Sequence, residues 1–320
     1  MAREDYKPMS LKELMKSKTS DQKWLIENIL PSDGVGILSG EAGSFKTWIL
    51  LHIAASVAGG TKVFDTFDVQ QGGVLMVDEE NRIALLKERI RLLGISEDLP
   101  IHFLVRKGVD FGGDEYSCEE IGNFALQNNI RLVTFDSLIR VQKRDENDAR
   151  AMSEFFERLK VFQFTNSSVL ITHHHRKEFS SQSSRPSQNL RGSSDILAAL
   201  DSHLAVYKKG RNEMQVIQTK SRDAETLAPF SLKVEADNDH FKFIHFGEAA
   251  ISTKQIAEVK IMEILQKTKE VSRKDLVDKL HGTVGGNALG DALAELESEQ
   301  KISSKITAKG KKLYSLVTQK

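Results

Sequence analysis

One segment near the N-terminus has the residue types and spacing of a phosphate-binding loop. Gly40 and Gly43 are followed by Lys46 and Thr47, and the segment lies between an apolar run and a helical pattern. In such a loop backbone N–H groups wrap phosphate oxygens, the lysine neutralises their charge and the threonine hydroxyl binds Mg²⁺. We therefore predict a site for ATP and Mg²⁺. The predicted nucleotide contacts are Gly40, Glu41, Ala42, Gly43, Ser44, Phe45, Lys46, Thr47 and Trp48.

Phe45 departs from the usual form of this motif, which has glycine directly before the lysine. If the position needs a positive φ, the phenylalanine is strained by about 1–3 kcal/mol. If it needs only room for the nucleotide, the ring can turn outward. The sequence leaves both possibilities open, and a chance glycine-rich turn between a strand and a helix is the alternative interpretation of the whole loop.

Acidic residues end two further apolar runs. Asp136 follows the run Leu-Val-Thr-Phe, where a carboxylate at the end of a strand beside a phosphate-binding loop can hold Mg²⁺ directly or through water. Asp78, Glu79 and Glu80 follow another run, and one of them could orient and deprotonate an attacking water. The simpler interpretations are a turn-forming aspartate and acids favoured by a helix dipole.

Alternating apolar runs and helical patterns predict the elements that position these residues. Short apolar strands separated by helices are typical of a parallel sheet covered on both faces. The predicted strands are 35–39, 73–77, 101–105, 132–135 and 168–172, with helices at 48–58, 83–93, 118–128 and 149–163. Further strands at 203–207, 214–219, 230–234 and 241–246 are closely spaced and predict antiparallel hairpins at the sheet edge. The predicted fold class is α/β.

The C-terminal part of the chain has a different pattern. Helices are predicted at 256–267, at 273–280 with Ser272 as the cap, and at 287–299, followed by an alternating hairpin at 301–317. Three helices and a two-stranded wing are the winged-helix arrangement. The predicted division is a leader at 1–32, a core at 33–248 and a winged-helix domain at 249–320.

The charge balance excludes general polyanion binding. The chain of 320 residues has 45 Lys and Arg and 45 Asp and Glu, so any contact with nucleic acid must be local. Residues 251–320 carry 13 basic and 9 acidic residues, a net charge of +4 against −4 for the rest. A basic tail on an acidic body is a mild indication of nucleic-acid contact. A solvated helical surface is the alternative.

Cysteine content and hydropathy indicate the compartment. Cys118 is the only cysteine, so no internal disulfide can form, which fits a reducing cytoplasm. The first 20 residues are charged throughout and lack the apolar segment of a signal peptide. No apolar run approaches the ~18–20 residues needed to span a bilayer. We expect a cytoplasmic protein with no membrane partner.

The order of the motifs resembles that of the RecA-like P-loop ATPases, most closely the RepA type of plasmid and phage replicative helicases (an AAA_25-like group). The resemblance covers roughly residues 10–246. Besides the phosphate-binding loop it rests on MVDEEN (76–81), LVTFDSL (132–138), LITHHHRK (170–177), RGSSDILAALDSHLAVYKK (191–209) and QTKSRD (218–223).

The resemblance implies a role for each motif. Glu80 would be the catalytic base, and Asp136 the carboxylate of the Walker B strand, which acts with Thr47 on Mg²⁺. His173 would sense the γ-phosphate, with the next histidine close behind. Lys220 and Arg222 would reach the ATP of the adjacent subunit, which requires an oligomer. A surface hairpin with two ordinary cations is the alternative for this pair.

The function implied is an ATP-hydrolysing motor that acts on DNA. It would form a homo-oligomeric ring, most simply a hexamer, and serve as a helicase or translocase of a mobile element on single-stranded DNA. The alternative is an ATP-gated regulator that binds DNA or protein and hydrolyses little, because Phe45 disturbs the loop. A recombinase-like filament is a third possibility.

Candidate residues for nucleic-acid contact lie in two loops and in the wing. Arg140 follows the Walker B strand, Arg185 and Arg191 belong to a polar loop after the histidines, and Lys305 and Lys311 lie in the wing. Cations that follow the backbone are the usual means of holding single strands. A plain surface loop is the alternative for each loop, and a protein-docking module is the alternative for the winged helix, whose last helix is acidic.

Overall fold

A large mixed sheet carries the residues predicted to do chemistry. The structure is a computed structural model that describes residues 8–17, 24–175 and 194–248 and, further on, 257–258, 260–262, 264–265, 268, 270–280, 284–298, 301–307 and 311–317. The strands are β1 (Trp24–Ile26), β2 (Leu30–Pro31), β3 (Val35–Gly40), β4 (Gly73–Asp78), β5 (Ile101–Val105), β6 (Ile130–Asp136), β7 (Ser168–His174), β8 (Ser202–Lys208), β9 (Glu213–Ser221), β10 (Phe230–Ala236), β11 (Phe241–Glu248), β12 (Val271–Ser272), β13 (Ile302–Ile306) and β14 (Lys312–Leu316). The helices are α1 (Leu11–Lys16), α2 (Lys46–Gly59), α3 (Ile83–Leu92), α4 (Glu115–Gln127), α5 (Leu138–Val141), α6 (Ala149–Leu159), α7 (Val161–Phe164), α8 (Ser194–Ala199), α9 (Arg273–Leu280) and α10 (Gly286–Ser298).

Within the described residues the largest sheet has nine strands, in the order β11-β10-β9-β8-β3-β7-β6-β4-β5. The strands from β8 to β5 in this order run parallel, and β9, β10 and β11 run antiparallel at one edge. Strands β3 and β4 are buried along their whole length, because apolar clusters cover both faces of the sheet. The predicted α/β fold with antiparallel hairpins at the edge is confirmed.

Strand β8 differs from the sequence-based expectation. Its residues were expected to belong to the antiparallel group, but β8 pairs in parallel with β3, with Ser202 opposite Gly36, and antiparallel with β9. An apolar run that is buried on both faces looks the same in either direction, so composition cannot decide its pairing. The P-loop strand β3 therefore has parallel neighbours on both sides.

The helices cover the sheet largely where they were predicted. The helix expected at 149–163 is interrupted at Lys160, and α6 and α7 are separate. In α7, Val161 packs against Gly122 of α4, where an added Cβ would lie 2.7 Å from a valine methyl group. No helix in the described part of the chain is long and apolar enough to cross a membrane.

The segment before the P-loop strand packs on the core in its second half. Strands β1 and β2 form a small antiparallel pair. Four apolar residues of this pair and its turn are at most 2% exposed: Leu25, Ile26, Ile29 and Leu30. In contrast, α1 has no buried residue. Residues 24–31 therefore belong to the same apolar cluster as α2.

The C-terminal segment has its own small core. Helices α9 and α10 pack with a three-stranded antiparallel sheet in the order β12-β14-β13. Ser272 caps α9, because its Oγ accepts a hydrogen bond from the backbone N–H of Asp275 (3.3 Å). Residues 257–258, 260–262 and 264–265 are helical. These are the elements expected of a winged helix, and the assignment to that class stays a prediction.

Candidate nucleotide-binding site

The phosphate-binding loop connects the end of β3 to the start of α2, as the sequence predicts. Two of its positions require glycine. A Cβ on Gly40 would lie 2.3 Å from Ser44 Oγ, and Gly43 has a φ of +75°. Ser44 Oγ donates to the carbonyl of Glu41 (2.8 Å) and closes the loop. The loop and the N-terminus of α2 thus form a cradle of backbone N–H groups suited to phosphate oxygens.

The Lys46 side chain lies within this loop. Its Nζ donates to the carbonyl oxygens of Gly40 (2.9 Å) and Glu41 (2.8 Å). Burial lowers the pKa of Lys46, and the nearby carboxylates of Asp136 and Glu80 oppose that shift. The ammonium group is therefore held beside the backbone of the loop, and its role in neutralising phosphate charge stays a prediction.

The hydroxyl of Thr47 and the carboxylate of Asp136 meet next to the loop. Thr47 Oγ1 donates to Asp136 Oδ2 (2.7 Å), and Asn81 Nδ2 donates to the same oxygen (3.3 Å). Thr172 Oγ1 donates to the other carboxylate oxygen. Burial raises the pKa of Asp136, and the hydrogen bonds from Thr172 and Thr47 lower it. A hydroxyl beside a carboxylate is a donor set of the kind Mg²⁺ prefers, so these residues fit that ion.

A cavity of 270 Å³ opens in front of the loop. Two cations and two carboxylates face it, which suits a polyphosphate bound together with a divalent cation. The predicted contacts from Ala42 to Trp48 line the cavity, whereas Gly40 and Glu41 shape the loop behind it. The lining residues are Ala42, Gly43, Ser44, Phe45, Lys46, Thr47, Trp48, Glu80, Asn81, Arg89, Asp136 and His174.

The three consecutive acids after β4 have different partners. Asp78 Oδ1 accepts two backbone N–H groups of the turn that follows it (2.9 and 2.7 Å). The carboxylate of Glu79 accepts three backbone N–H groups of residues 107–109 (2.9, 3.0 and 3.1 Å). Glu80 alone of the three lines the cavity, and its Oε2 accepts a hydrogen bond from Ser137 Oγ (2.9 Å). Only Glu80 has its carboxylate placed to act on a water in the cavity.

Arg89 lines the cavity and was not among the predicted residues. Its Nη1 donates to Asn81 Oδ1 (3.2 Å), and its Cζ lies 5.4 Å from the centre of the Trp48 ring. The signal was present in the sequence. Arg89 occupies a position on the inward stripe of α3, three residues after the buried Leu86 and next to Ile90. A cation at a core-facing position indicates a functional or ionic role.

Phe45 takes the strained conformation that the sequence left open. Its φ is +64°, in the left-handed region. The ring packs against Phe241 of β11 at 6.0 Å between centroids, and Trp48 stacks on the same Phe241 ring at 3.9 Å between centroids. Lys208 Nζ lies 5.8 Å from the Phe45 ring. Packing of these aromatic rings holds the loop in a conformation that glycine would adopt without strain.

Replacing Phe45 should show this strain directly. We expect Phe45→Gly to be more stable than Phe45→Ala by about 1 kcal/mol, because only glycine adopts this φ freely. Both variants lose the same ring contacts with Phe241, so the comparison isolates the backbone. Urea denaturation of the two variants measures the difference. An alanine variant as stable as the glycine variant would contradict the strain, since alanine is the more stable residue where φ is ordinary.

The histidine that faces the cavity is His174, and the prediction of His173 as the phosphate sensor is corrected. His173 is 1% exposed and does not line the cavity; its Nε2 lies 3.9 Å from Glu146 Oε2. Successive residues of β7 point to opposite faces of the sheet. Thr172 contacts Asp136, so the next residue on the same face is His174.

Lys220 and Arg222 lie at the opposite end of the strands from the phosphate-binding loop, beside the start of β3. Lys220 lies in β9 and Arg222 directly follows this strand. Strand β9 pairs with β8 so that Ser221 is opposite Ser202, and Ser202 is opposite Gly36 near the start of β3. The loop follows the other end of β3. The two cations therefore do not face the cavity of their own chain.

Both cations contact the end of α8. Lys220 Nζ donates to the carbonyls of Leu197 and Ala198 (both 2.8 Å). Arg222 Nη1 lies 2.9 Å from Asp201 Oδ1, with 55% of the arginine side chain exposed. Arg222 also lines a second cavity, of 490 Å³, at this edge of the sheet. Arg222 is therefore accessible from outside the chain.

The candidate nucleic-acid residues are only partly described. Arg140 is exposed on α5, directly after the Walker B strand. Arg185 and Arg191 lie outside the described residues. Lys305 and Lys311 are exposed, and each lies within ion-pair distance of a carboxylate of the same C-terminal segment. The wing cations thus have partners within their own segment.

Asp136→Asn should stabilise the fold while it removes the predicted metal ligand. Burial raises the pKa of Asp136 in the folded chain. A carboxyl group of this kind stabilises the fold fully below its unfolded pKa, and that stability is lost as the pH rises through the folded pKa. We expect the variant to gain roughly 2–4 °C in Tm at about pH 8. The gain should shrink as the pH falls towards the ordinary aspartate range.

Thermal denaturation by circular dichroism across this pH range measures the effect. Asp145→Asn is the matched control, because Asp145 is exposed and hydrogen bonds from Asn147 lower the pKa of its carboxyl group. A gain in Tm from the control, or none from Asp136→Asn at the higher pH, would contradict the burial argument.

Comparisons with known proteins agree with this geometry. The model of a family described as AAA domain (AAA_25) matches residues 2–180, more than half of the chain. A search of curated proteins gives no match. Among solved structures, the ATPase domain of G40P aligns with a TM-score of 0.51 and 15% identity, over 66% of this chain and 84% of that one. A DnaB-like replicative helicase, solved in a study of its interactions with primase, aligns with a TM-score of 0.51 and 18% identity, over 66% of this chain and 58% of that one.

The chain thus spans somewhat more than half the length of that helicase. The alignments show the fold, which is RecA-like, and the family match supports nucleotide binding and an ATPase. From the loop, the acids around it and the family match together, we conclude that the chain belongs to the AAA domain family of RecA-like P-loop proteins.

Proposed function

We propose that the chain is an ATP-hydrolysing motor that acts on single-stranded DNA as a ring of identical subunits, most simply a hexamer. One observation carries the proposal. In each chain the loop and the residues predicted as metal ligands and base surround one cavity, while Lys220 and Arg222 lie at the other end of the strands. Such a chain has the two halves of a site that is completed only by a neighbour.

The residues around the cavity would share the work of hydrolysis. The backbone of the loop and Lys46 would bind and neutralise the phosphates, and Thr47 with Asp136 would hold Mg²⁺, which would neutralise charge at the phosphate oxygens. Glu80 orients a water and takes its proton, with Ser137 fixing the carboxylate. His174 donates to a phosphate oxygen and so reports its presence to the segment that follows β7.

Lys220 and Arg222, at the other end of the strands, would supply in trans the cations that the ATP site does not receive from its own chain. An arginine from a neighbouring subunit can stabilise charge that develops during phosphoryl transfer. Arg222 is exposed and held by Asp201, so its guanidinium group is kept at the surface in a defined place. We assign Lys220 and Arg222 this role in trans.

For nucleic acid the candidates remain Arg140 on α5, which follows β6, and Arg185 and Arg191, which lie outside the described residues. DNA bound at Arg140 would contact the segment that follows Asp136, so its binding would depend on the state of the ATP site. We also propose that residues 249–320 form a winged-helix domain with Lys305 and Lys311 on its wing. The resemblance to plasmid and phage helicases supports a role in the replication of a mobile element.

An ATP-gated regulator with little hydrolysis is the second candidate function. The strained φ of Phe45 favours it, because energy stored in the loop could serve binding rather than turnover. The two functions differ in one measurable property. A motor hydrolyses ATP faster when DNA is bound, and a regulator binds ATP and DNA with little turnover.

The first test is the steady-state ATPase rate of the full chain with and without single-stranded DNA, beside Lys46→Ala. We expect hydrolysis that DNA stimulates and that the variant abolishes, because Lys46 is the cation within the loop. Light scattering on the same samples measures the size of the assembly. ATP binding without hydrolysis under all conditions would remove the motor and leave the regulator.

A further inference from the structure

A chain of buried and partly buried hydrogen bonds crosses four neighbouring segments of the sheet. Ser39 Oγ lies 3.0 Å from His175 Nε2 and 2.8 Å from His203 Nε2, and His203 Nδ1 lies 2.5 Å from Thr219 Oγ1. Ser39 and His203 are fully buried, and His175 is 7% exposed. We name these four residues the polar relay. It connects β3, the residue that follows β7, β8 and β9.

The donor and acceptor roles of the residues in the polar relay depend on one another. Burial lowers the pKa of His175 to about 4 and that of His203 to about 3, so both rings are neutral at neutral pH. A neutral imidazole has one donor and one acceptor nitrogen. Ser39 has a single hydroxyl hydrogen, so it donates to one histidine and accepts from the other. The choice of donor and acceptor nitrogen at His175 therefore fixes the same choice at His203. Through the second ring nitrogen of His203 it also fixes whether the Thr219 hydroxyl donates or accepts.

The relay ends in a β-bulge. His203 is opposite Lys220 and Leu204 is opposite Gln218, so Thr219 is an extra residue in β9 with no partner in β8. A bulge bends its strand and redirects the side chains that follow. The next residue is Lys220, and Arg222 follows two positions later. Thr219 is thus placed to set the direction of both cations, and its hydroxyl is tied to the relay.

The other end of the relay lies at the ATP site. Ser39 is the last residue before Gly40 of the phosphate-binding loop, and His175 directly follows His174, which lines the cavity. A displacement of His174 or of the loop therefore moves a member of the relay. The polar relay thus extends from the ATP cavity of a chain to the cations Lys220 and Arg222 at the other end of the strands in the same chain.

We propose that Ser39, His175, His203 and Thr219 are positioning residues that couple a subunit's own ATP site to the direction of its Lys220 and Arg222. This rests on the proposed function, in which those cations complete the site of the neighbouring subunit. The relay passes the state of one site to the next around the ring. Its residues contact no substrate and act through the bulge.

The test replaces the hydroxyl at the bulge. Thr219→Val keeps the branched shape and removes the hydrogen bond to His203, and Thr219→Ser keeps the hydroxyl. We expect the valine variant to lower the DNA-stimulated kcat for ATP about 10- to 100-fold, as misplacement of a reacting group by an ångström does. The KM for ATP should stay within about threefold, because the loop is intact. The serine variant should be close to wild type.

Mixed rings separate a trans defect from a general one. Thr219→Val is co-expressed with Lys46→Ala, whose subunits lack the phosphate-binding lysine and keep Lys220 and Arg222 in their normal places. A valine subunit with a Lys46→Ala neighbour then has a complete site. We expect activity above that of either variant alone. Arg222→Ala with Lys46→Ala is the reference mixture.

Each outcome bears on a separate claim. Recovery in both mixtures supports the relay. Recovery in the reference mixture with none for Thr219→Val overturns the relay and leaves the proposed function standing. No recovery in the reference mixture overturns the trans role of Arg222 and the relay with it. A Thr219→Val protein with wild-type kcat also overturns the relay.

Discussion

Glu80→Gln is expected to lower the rate of ATP hydrolysis by about 10²–10⁴-fold while ATP binding stays within a few-fold. Glu80 is the one acid after β4 whose carboxylate lines the cavity, and Ser137 Oγ holds it at 2.9 Å. Glutamine keeps the shape and the hydrogen bond from Ser137 but cannot accept the proton of water. Single-turnover hydrolysis and binding of a fluorescent ATP analogue measure the two effects separately.

Glu79→Gln is the matched control for this variant. The same chemical change one residue earlier removes a charge that accepts three backbone N–H groups of residues 107–109. We expect a loss of about 1–3 kcal/mol in the free energy of unfolding, because hydrogen bonds to a charged acceptor are weakened. Hydrolysis should change several-fold at most. If Glu79→Gln were inactive and Glu80→Gln active, the assignment of the base would be wrong.

Arg222→Ala is expected to lower kcat by about 10³–10⁵-fold, the range for an arginine that completes a phosphoryl-transfer site. The free energy of unfolding should fall by no more than about 1 kcal/mol, because the Arg222 side chain is 55% exposed and its ion pair with Asp201 is partly solvated. A large loss of activity with little loss of stability distinguishes a functional residue from a structural one. Steady-state hydrolysis and urea denaturation of the same preparation measure both.

Arg211→Ala is the control for charge on the same hairpin. Arg211 is exposed in the turn between β8 and β9, at the other end of the strand from Arg222. Its replacement removes the same charge and should leave kcat within a few-fold. Equal losses from the two variants would point to a general effect of charge on DNA binding and would contradict the specific role.

The sequence was informative where one residue type has one physical use. The loop motif alone predicts glycine at positions 40 and 43. A Cβ on Gly40 would lie 2.3 Å from Ser44 Oγ, and Gly43 has a positive φ. Buried parallel strands reveal themselves as apolar runs, and their acidic ends marked Asp136 and Glu80. These features depend on residues that are close together in the sequence, so the sequence alone predicts them.

Features that depend on packing between distant segments were not predictable in this way. The face on which His174 points depends on the phase of β7, which a run of three histidines does not reveal. The direction of β8 depends on its neighbours in the sheet rather than on its own residues. The polar relay joins Ser39, His175, His203 and Thr219, which are up to 180 positions apart along the chain. Only the pairing of the strands brings them together.

The stacking of Trp48 on Phe241 has a consequence for spectroscopy. The chain contains two tryptophans, and one of them lines the cavity with a phenylalanine 3.9 Å from its ring and an arginine 5.4 Å away. Indole emission depends on such neighbours and on nearby charge. Trp48 is therefore an intrinsic fluorescent probe at the phosphate-binding loop. Changes in its emission can follow each catalytic cycle of the site without an added label.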